Sequence, residues 1–208
     1  MAGLALTLVS VFLIVVFPLR SWRRRARFGA AGRADYRHGR PGSWKRADAL
    51  FLLGFALVLT GPGLAAVELI DVIAQPSPAT IVLGMTVMAL AVALAVWAQN
   101  TMGAAWRPDI APADDCQVVT DGPFRVVRNP TYVAMLAAAA GAALLAPTVV
   151  GIVGWLALLT SLVLTTRAEE PPLRRAYGTD YEQYAARVGR FLPLIGRLRN
   201  PAADAGDS

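Results

Sequence analysis

Residues 129–166 read NPTYVAMLAAAAGAALLAPTVVGIVGWLALLTSLVLTT, without one charged side chain. A helix needs about 20 mostly apolar residues to cross a hydrocarbon core of about 30 Å. The stretch therefore holds two short crossings, and Pro147 near its middle supplies the turn between them. It is apolar all round rather than along one stripe, which fits a lipid-embedded helix and not a helix of a soluble bundle. Outward from it, residues 1–19, 49–67 and 72–106 are also free of charged side chains. Five helices are expected, over about 3–19, 49–70, 80–98, 132–146 and 148–166. The fold class is all-α: a polytopic membrane protein of about five transmembrane helices, with a C-terminal helical hairpin and a cytoplasmic amphipathic C-terminal segment.

Composition agrees. Of 208 residues, 56% are hydrophobic and 16% charged, against about 25% charged in soluble domains. The mean hydropathy is +0.49. A disordered chain, which needs low hydrophobicity, is excluded. A single cysteine, Cys116, excludes a disulfide framework or a cysteine-based zinc site within one chain. A single histidine, His38, argues against a histidine-rich metal site or a Ser-His-Asp triad.

The basic residues set the expected orientation. Of 20 Lys and Arg, ten lie in 20–48, three in 99–131 and seven in 167–208. With five crossings, these three segments fall on one side, and the positive-inside rule makes that side the cytoplasm. The N-terminus is then outside. The first helix has no basic residue before it and Arg23-Arg24-Arg25 after it, the pattern of a retained anchor rather than a cleaved signal. The basic segment 20–48 contains no nucleic-acid-binding module, so topology and contact with anionic membrane lipids account for it and no nucleic-acid partner is expected. The N-terminal helices with their basic loop form one unit, 1–98. The end of the chain, 196–208, reads as a disordered tail.

Two polar regions flank the last two crossings. The first, Gly122-Pro123-Phe124-Arg125-Val126-Val127-Arg128-Asn129-Pro130-Thr131-Tyr132, carries a turn signal and then an Asn-Pro helix start, with Asn129 as N-cap. Read alone, it is either a capped helix with two interfacial arginines or part of a site. The second, Arg167-Ala168-Glu169-Glu170-Pro171-Pro172, continues into Tyr177-Gly178-Thr179-Asp180-Tyr181-Glu182-Gln183-Tyr184. Adjacent carboxylates at the end of a crossing are costly unless paired or hydrated, and are functional candidates for that reason. Arg167 is their nearest cation in sequence. The alternative is a salt bridge followed by a surface helix, capped by Thr179 or Asp180, with its tyrosines at the headgroup level.

Taken together, Gly-Pro-Phe-Arg-x-x-Arg-Asn-Pro-x-Tyr, an apolar hairpin, Arg-x-Glu-Glu, Tyr-Gly-x-x-Tyr-x-x-Tyr and a closing Arg-Phe-Leu-Pro resemble the isoprenylcysteine carboxyl methyltransferase family, itself similar to the phospholipid methyltransferases. The resemblance spans about Met102 to Pro193. It implies a catalytic region over 99–195 and an integral membrane methyltransferase that uses S-adenosylmethionine at its cytoplasmic face. Carried over residue by residue, it places Asn129, Pro130, Tyr132, Glu169 and Glu170 at the cofactor. Arg167 and Arg128 become the cations nearest the acceptor. Trp106-Arg107-Pro108 resembles a further loop motif over the site. The chain departs from the family at Asn129, where histidine is usual, and at Ala134, where glycine is usual.

The implied partner is a lipophilic small-molecule acceptor entering from the bilayer, with a carboxylate of a prenylated or other lipid-like molecule favoured. No metal is implied. The Arg- and Ala-rich composition points to a GC-rich bacterial genome, and so to a bacterial cell membrane. Two other readings share the helical layout: an NADPH-dependent membrane reductase like the sterol reductases, and a non-enzymatic membrane protein. The Glu-Glu pair favours the methyltransferase over the first. The scarcity of ionisable residues within the crossings disfavours a transport path.

Overall fold

The computed structural model describes residues 1–19, 42–102 and 118–198. Five α-helices run in chain order: α1 (Ala2–Ile14), α2 (Gly42–Ala66), α3 (Pro78–Met102), α4 (Pro130–Leu145) and α5 (Val149–Arg187). A π-helical turn, Val15–Leu19, extends α1, and a short 3-10 turn, Gly122–Arg125, precedes α4. Among the described residues the other regular pairing is two isolated β-bridges. Arg23 to Arg25, Trp106 to Pro108 and the end from residue 199 lie outside the described residues.

Three helices, α2, α3 and α5, are long and apolar enough to cross a membrane, and α1 and α4 are shorter apolar helices. Burial is inverted relative to a soluble protein. Leu52, Val82, Leu90 and Leu156 are exposed on the helix surfaces, while the interior is rich in alanine. A lipid bilayer gives no hydrophobic reward for burying leucine, so small residues that allow close backbone approach mark the interfaces. At Gly54 a Cβ would lie 2.7 Å from the Leu158 amide, and at Gly154 the same distance from the Val58 amide, so α2 and α5 touch backbone to backbone. The main core joins residues of all five helices, from Val9 and Phe12 through Val58, Met88 and Ala138 to Leu158 and Leu162.

The bundle has two unlike ends. At one, the Ile73 amide donates to the Pro147 carbonyl at 2.7 Å, so the α2–α3 and α4–α5 connections meet there. At the other lie the end of α1, the start of α2, the end of α3, the start of α4 and the polar part of α5. Gln99 Nε2 donates to the Val16 carbonyl at 3.0 Å, and Ser161 Oγ to the Ala47 carbonyl at 2.7 Å. The charge-bearing motifs gather at this second end.

Two helices differ from the sequence expectation. The second starts at Gly42, inside the basic segment, and carries Lys45, Arg46 and Asp48 on exposed positions of its first turns. The fifth does not stop at residue 166 but continues through Pro171 and Pro172. The absence of charge marks where the bilayer ends, not where a helix ends, and Arg, Ala, Glu and Leu beyond residue 166 all favour helix. The break falls at Gly178, whose φ of 52° and ψ of −131° are open to glycine and not to side-chain-bearing residues. Past it, a short helical stretch folds back. Tyr181, Tyr184 and Ala185 pack against Leu173 and Tyr177, so Tyr181 and Tyr184 are buried rather than spread at the headgroup level. Gly196 and Leu198, at the front of the expected tail, are tied to the fold: their partners are Arg128 Nη2 and the Ala185 carbonyl.

Candidate active site

Backbone pairing brings the separated motifs together. The amides of Arg128 and Asn129 donate to the carbonyls of Gly189 and Arg190 at 2.8 and 3.1 Å. Val127 and Gly189 form a parallel bridge. Tyr184 Oη donates to the Phe124 carbonyl at 2.8 Å. The segment before α4 and the Arg-Phe-Leu-Pro segment after α5 are therefore zipped side by side. Gly189 is required there, because a Cβ would collide with the carbonyls of Leu192 and Ile195.

The two adjacent glutamates part company. Successive helix positions point about 100° apart, so Glu169 and Glu170 meet different neighbours. Glu170 is 7% exposed. Its Oε1 and Oε2 accept from Arg190 Nε and Nη2, each at 2.7 Å, a forked pair. Arg128 Nη2 lies 3.2 Å from the same Oε1. Arg128 also donates to the Gly196 carbonyl at 2.7 Å and, at 3.4 Å, to Tyr181 Oη. Two arginines thus cage one buried carboxylate. The charge-assisted bonds from Glu170 hold the Arg190 guanidinium above its usual pKa. Burial raises the Tyr181 phenol above its ordinary pKa, against the opposing pull of Arg128, and raises Tyr184 likewise.

Glu169 is half-buried and accepts from Tyr132 Oη at 3.1 Å. This bond joins the first turn of α4 to the polar part of α5. Pro130 is buried at the first helical position of α4. Asn129 occupies the N-cap position but makes no side-chain cap bond; its Nδ2 donates instead to the Arg190 carbonyl at 3.3 Å. Ala134, where the family usually has glycine, is fully buried in the main core. Among the described residues, two buried polar atoms of this layer lack a partner: Arg128 Nε, and Thr166 Oγ1 one turn before Glu170.

Of the residues singled out in the sequence, Arg128, Asn129, Pro130, Tyr132, Glu169 and Glu170 converge at the charged end of the bundle. Arg167 is exposed and makes no ion pair among the described residues, so it is not the partner of the glutamate pair. The cation missed was Arg190. The signal was there, an arginine opening the Arg-Phe-Leu-Pro motif, but sequence distance favoured Arg167.

No curated protein matches the chain. Residues 79–180, from α3 through the glutamate pair, match the phospholipid methyltransferase family, which includes the isoprenylcysteine carboxyl methyltransferases and whose members generally use S-adenosylmethionine. This match favours a membrane methyltransferase over the reductase and the non-enzymatic readings, and it is this segment, 79–180, that is similar to the phospholipid methyltransferases.

Proposed function

We propose that the chain transfers the methyl group of S-adenosylmethionine to a lipophilic acceptor, with a carboxylate of a lipid-like molecule favoured, at the charged end of the bundle. The observation that carries this is the Tyr132–Glu169 hydrogen bond between the two family motifs. The residues there suit the cofactor. A half-buried carboxylate accepts from an ammonium or from ribose hydroxyls, and a tyrosine face attracts a cationic sulfonium. The unpartnered Arg128 Nε and Thr166 Oγ1 are further polar atoms that a ligand would satisfy.

In this reading Asn129, Pro130, Tyr132 and Glu169 line the cofactor position. Bound there, the cofactor supplies an activated methyl group for in-line displacement. Glu170 and Arg128 act through position: their cage fixes the segment 127–129 against 189–190, and so the start of α4 and the orientation of Tyr132. Orientation of this kind supplies much of the rate in a displacement reaction. Arg167, exposed and outside the cage, is a cation that can grip an anionic acceptor with its forked donors. An acceptor already ionised as a carboxylate needs no general base, in keeping with asparagine at position 129. In this reading the end rich in basic residues faces the cytoplasm and the N-terminus lies outside, as the positive-inside rule favours, and the Arg- and Ala-rich composition supports a bacterial cell membrane as the setting.

The test is radiolabelled methyl transfer. Membranes containing the chain are incubated with methyl-labelled S-adenosylmethionine and extracted with organic solvent. Label in the lipid fraction, lost with Glu169→Gln, is the expected result. If labelling occurs and survives mild base, the acceptor is not a carboxylate, because methyl esters hydrolyse. No transfer to any fraction overturns the reading.

A further inference from the structure

The tip of the closing segment projects away from the cage of Arg128, Glu170 and Arg190. Leu192-Pro193-Leu194-Ile195 forms a tight turn in which the Ile195 amide donates to the Leu192 carbonyl at 3.2 Å. All four side chains are exposed, Leu192 by 56%, Leu194 by 65% and Ile195 by 63%. The turn is not loose. The Arg190 amide donates to the Ile195 carbonyl at 2.9 Å, and the next carbonyl, of Gly196, accepts from buried Arg128. Leu194 sits at φ 68°, a left-handed conformation that a leucine rarely takes and that persists where surrounding contacts impose it. The fold thus holds an apolar tip outward at a conformational cost.

The depth of that tip follows from its neighbours. Gly189 and Arg190 are hydrogen-bonded to Arg128 and Asn129, at the very start of α4. Phe191 packs against the main core that joins all five helices. Helix α4 has 16 residues, which at 1.5 Å each span about 24 Å, less than a hydrocarbon core of about 30 Å. A crossing by α4 is thus too short to carry its start beyond the interfacial zone into water. Arg187 and Arg197, both exposed, flank the turn.

We propose that Leu192–Ile195 is a lipid finger: it inserts into the headgroup–acyl boundary of the leaflet on the basic side, while its flanking arginines meet anionic headgroups. Buried apolar area together with electrostatic attraction is what holds interfacial segments to such a surface.

Depth-dependent quenching tests it. In a Cys116→Ser background, Leu192→Cys and Ile195→Cys are labelled separately with an environment-sensitive fluorophore. The full chains are placed in phosphatidylcholine vesicles containing phosphatidylglycerol, and an unshifted melting temperature confirms each fold. The expected result is blue-shifted emission, lost for the most part to lipid carrying a nitroxide at acyl carbon 5, less to carbon 12, and shielded from aqueous iodide relative to a label at exposed Gln183→Cys. Iodide quenching equal to that at position 183, with no response to lipid nitroxide, overturns the proposal. Protection from both quenchers also overturns it, because the tip would then be covered by protein. Two independent label sites keep the test decisive if one variant misfolds.

Discussion

Glu170→Ala removes the carboxylate that two arginines share. The Arg128 side chain is 3% exposed and that of Glu170 10%, so deletion leaves a guanidinium buried without a counter-charge. Breaking a buried pair from one side typically costs about 3–5 kcal/mol. For a chain of this size, at about 2–4 °C per kcal/mol, the melting temperature falls by roughly 6–20 °C. Glu169→Ala differs by one position and has another consequence. Glu169 is half-buried and gives up a hydrogen bond from Tyr132, a loss of about 1.5–3 kcal/mol for a charged acceptor, so its melting temperature falls by less, roughly 3–12 °C. Thermal unfolding of both variants in the same detergent, followed by tryptophan fluorescence, separates them. The double replacement Arg128→Met with Glu170→Met removes both deeply buried charges and recovers most of the loss, since apolar substitutes for a buried pair are often neutral. A Glu170→Ala protein that melts like the parent, or a Glu169→Ala protein that is the less stable of the two, refutes the cage.

Other expectations follow from single observations. Gly154→Val drives a side chain into the α2 backbone, where a Cβ already lies 2.7 Å from the Val58 amide; it lowers stability by about 1–3 kcal/mol. Gly3→Ala meets nothing within 4 Å and raises stability slightly through helix propensity; thermal melts read both. Asn129→Ser keeps the fold, because no side-chain cap bond is made there, but it weakens S-adenosylmethionine binding in calorimetry; full affinity removes Asn129 from the site. Arg167→Leu lowers turnover more than cofactor affinity, and equal losses in both would detach Arg167 from the acceptor. Raised tyrosine pKa values stabilise the neutral, folded form below the unfolded value of about 10, and that contribution is lost as pH rises through the folded value. The burial of Tyr181 and Tyr184 therefore predicts a melting temperature that falls on titration above about pH 10.

The number of helices was legible because a bilayer imposes it: each charge-free run is as long as a crossing must be, and Pro147 divides the longest. The length of α5 was not. Residues 167–177 are charged and helical at once, and the sign of their break, Gly178, is a backbone conformation that a sequence only permits. The site residues were legible as a set but not in their pairing. Arg167 stands two residues from Glu169, yet the carboxylate beside it is held by Arg190, across a fold-back that starts at Gly178. The difference between Glu169 and Glu170 is a rotation about the helix axis, and only the packed structure says which face meets the arginines. Asn129 carried a true positional signal, the N-cap site before proline, and a misleading chemical one, since its carboxamide reaches across to Arg190.

Cofactor binding tests the central claim most directly. The full chain in lipid nanodiscs is titrated with S-adenosylmethionine by calorimetry, beside Glu169→Ala at matched thermal stability. Losing one charged acceptor costs about 1.5–3 kcal/mol, so the parent should bind and the variant should bind at least about tenfold more weakly. Absence of binding by the parent, or equal affinity in the two, would contradict a cofactor site built on the Tyr132–Glu169 bond.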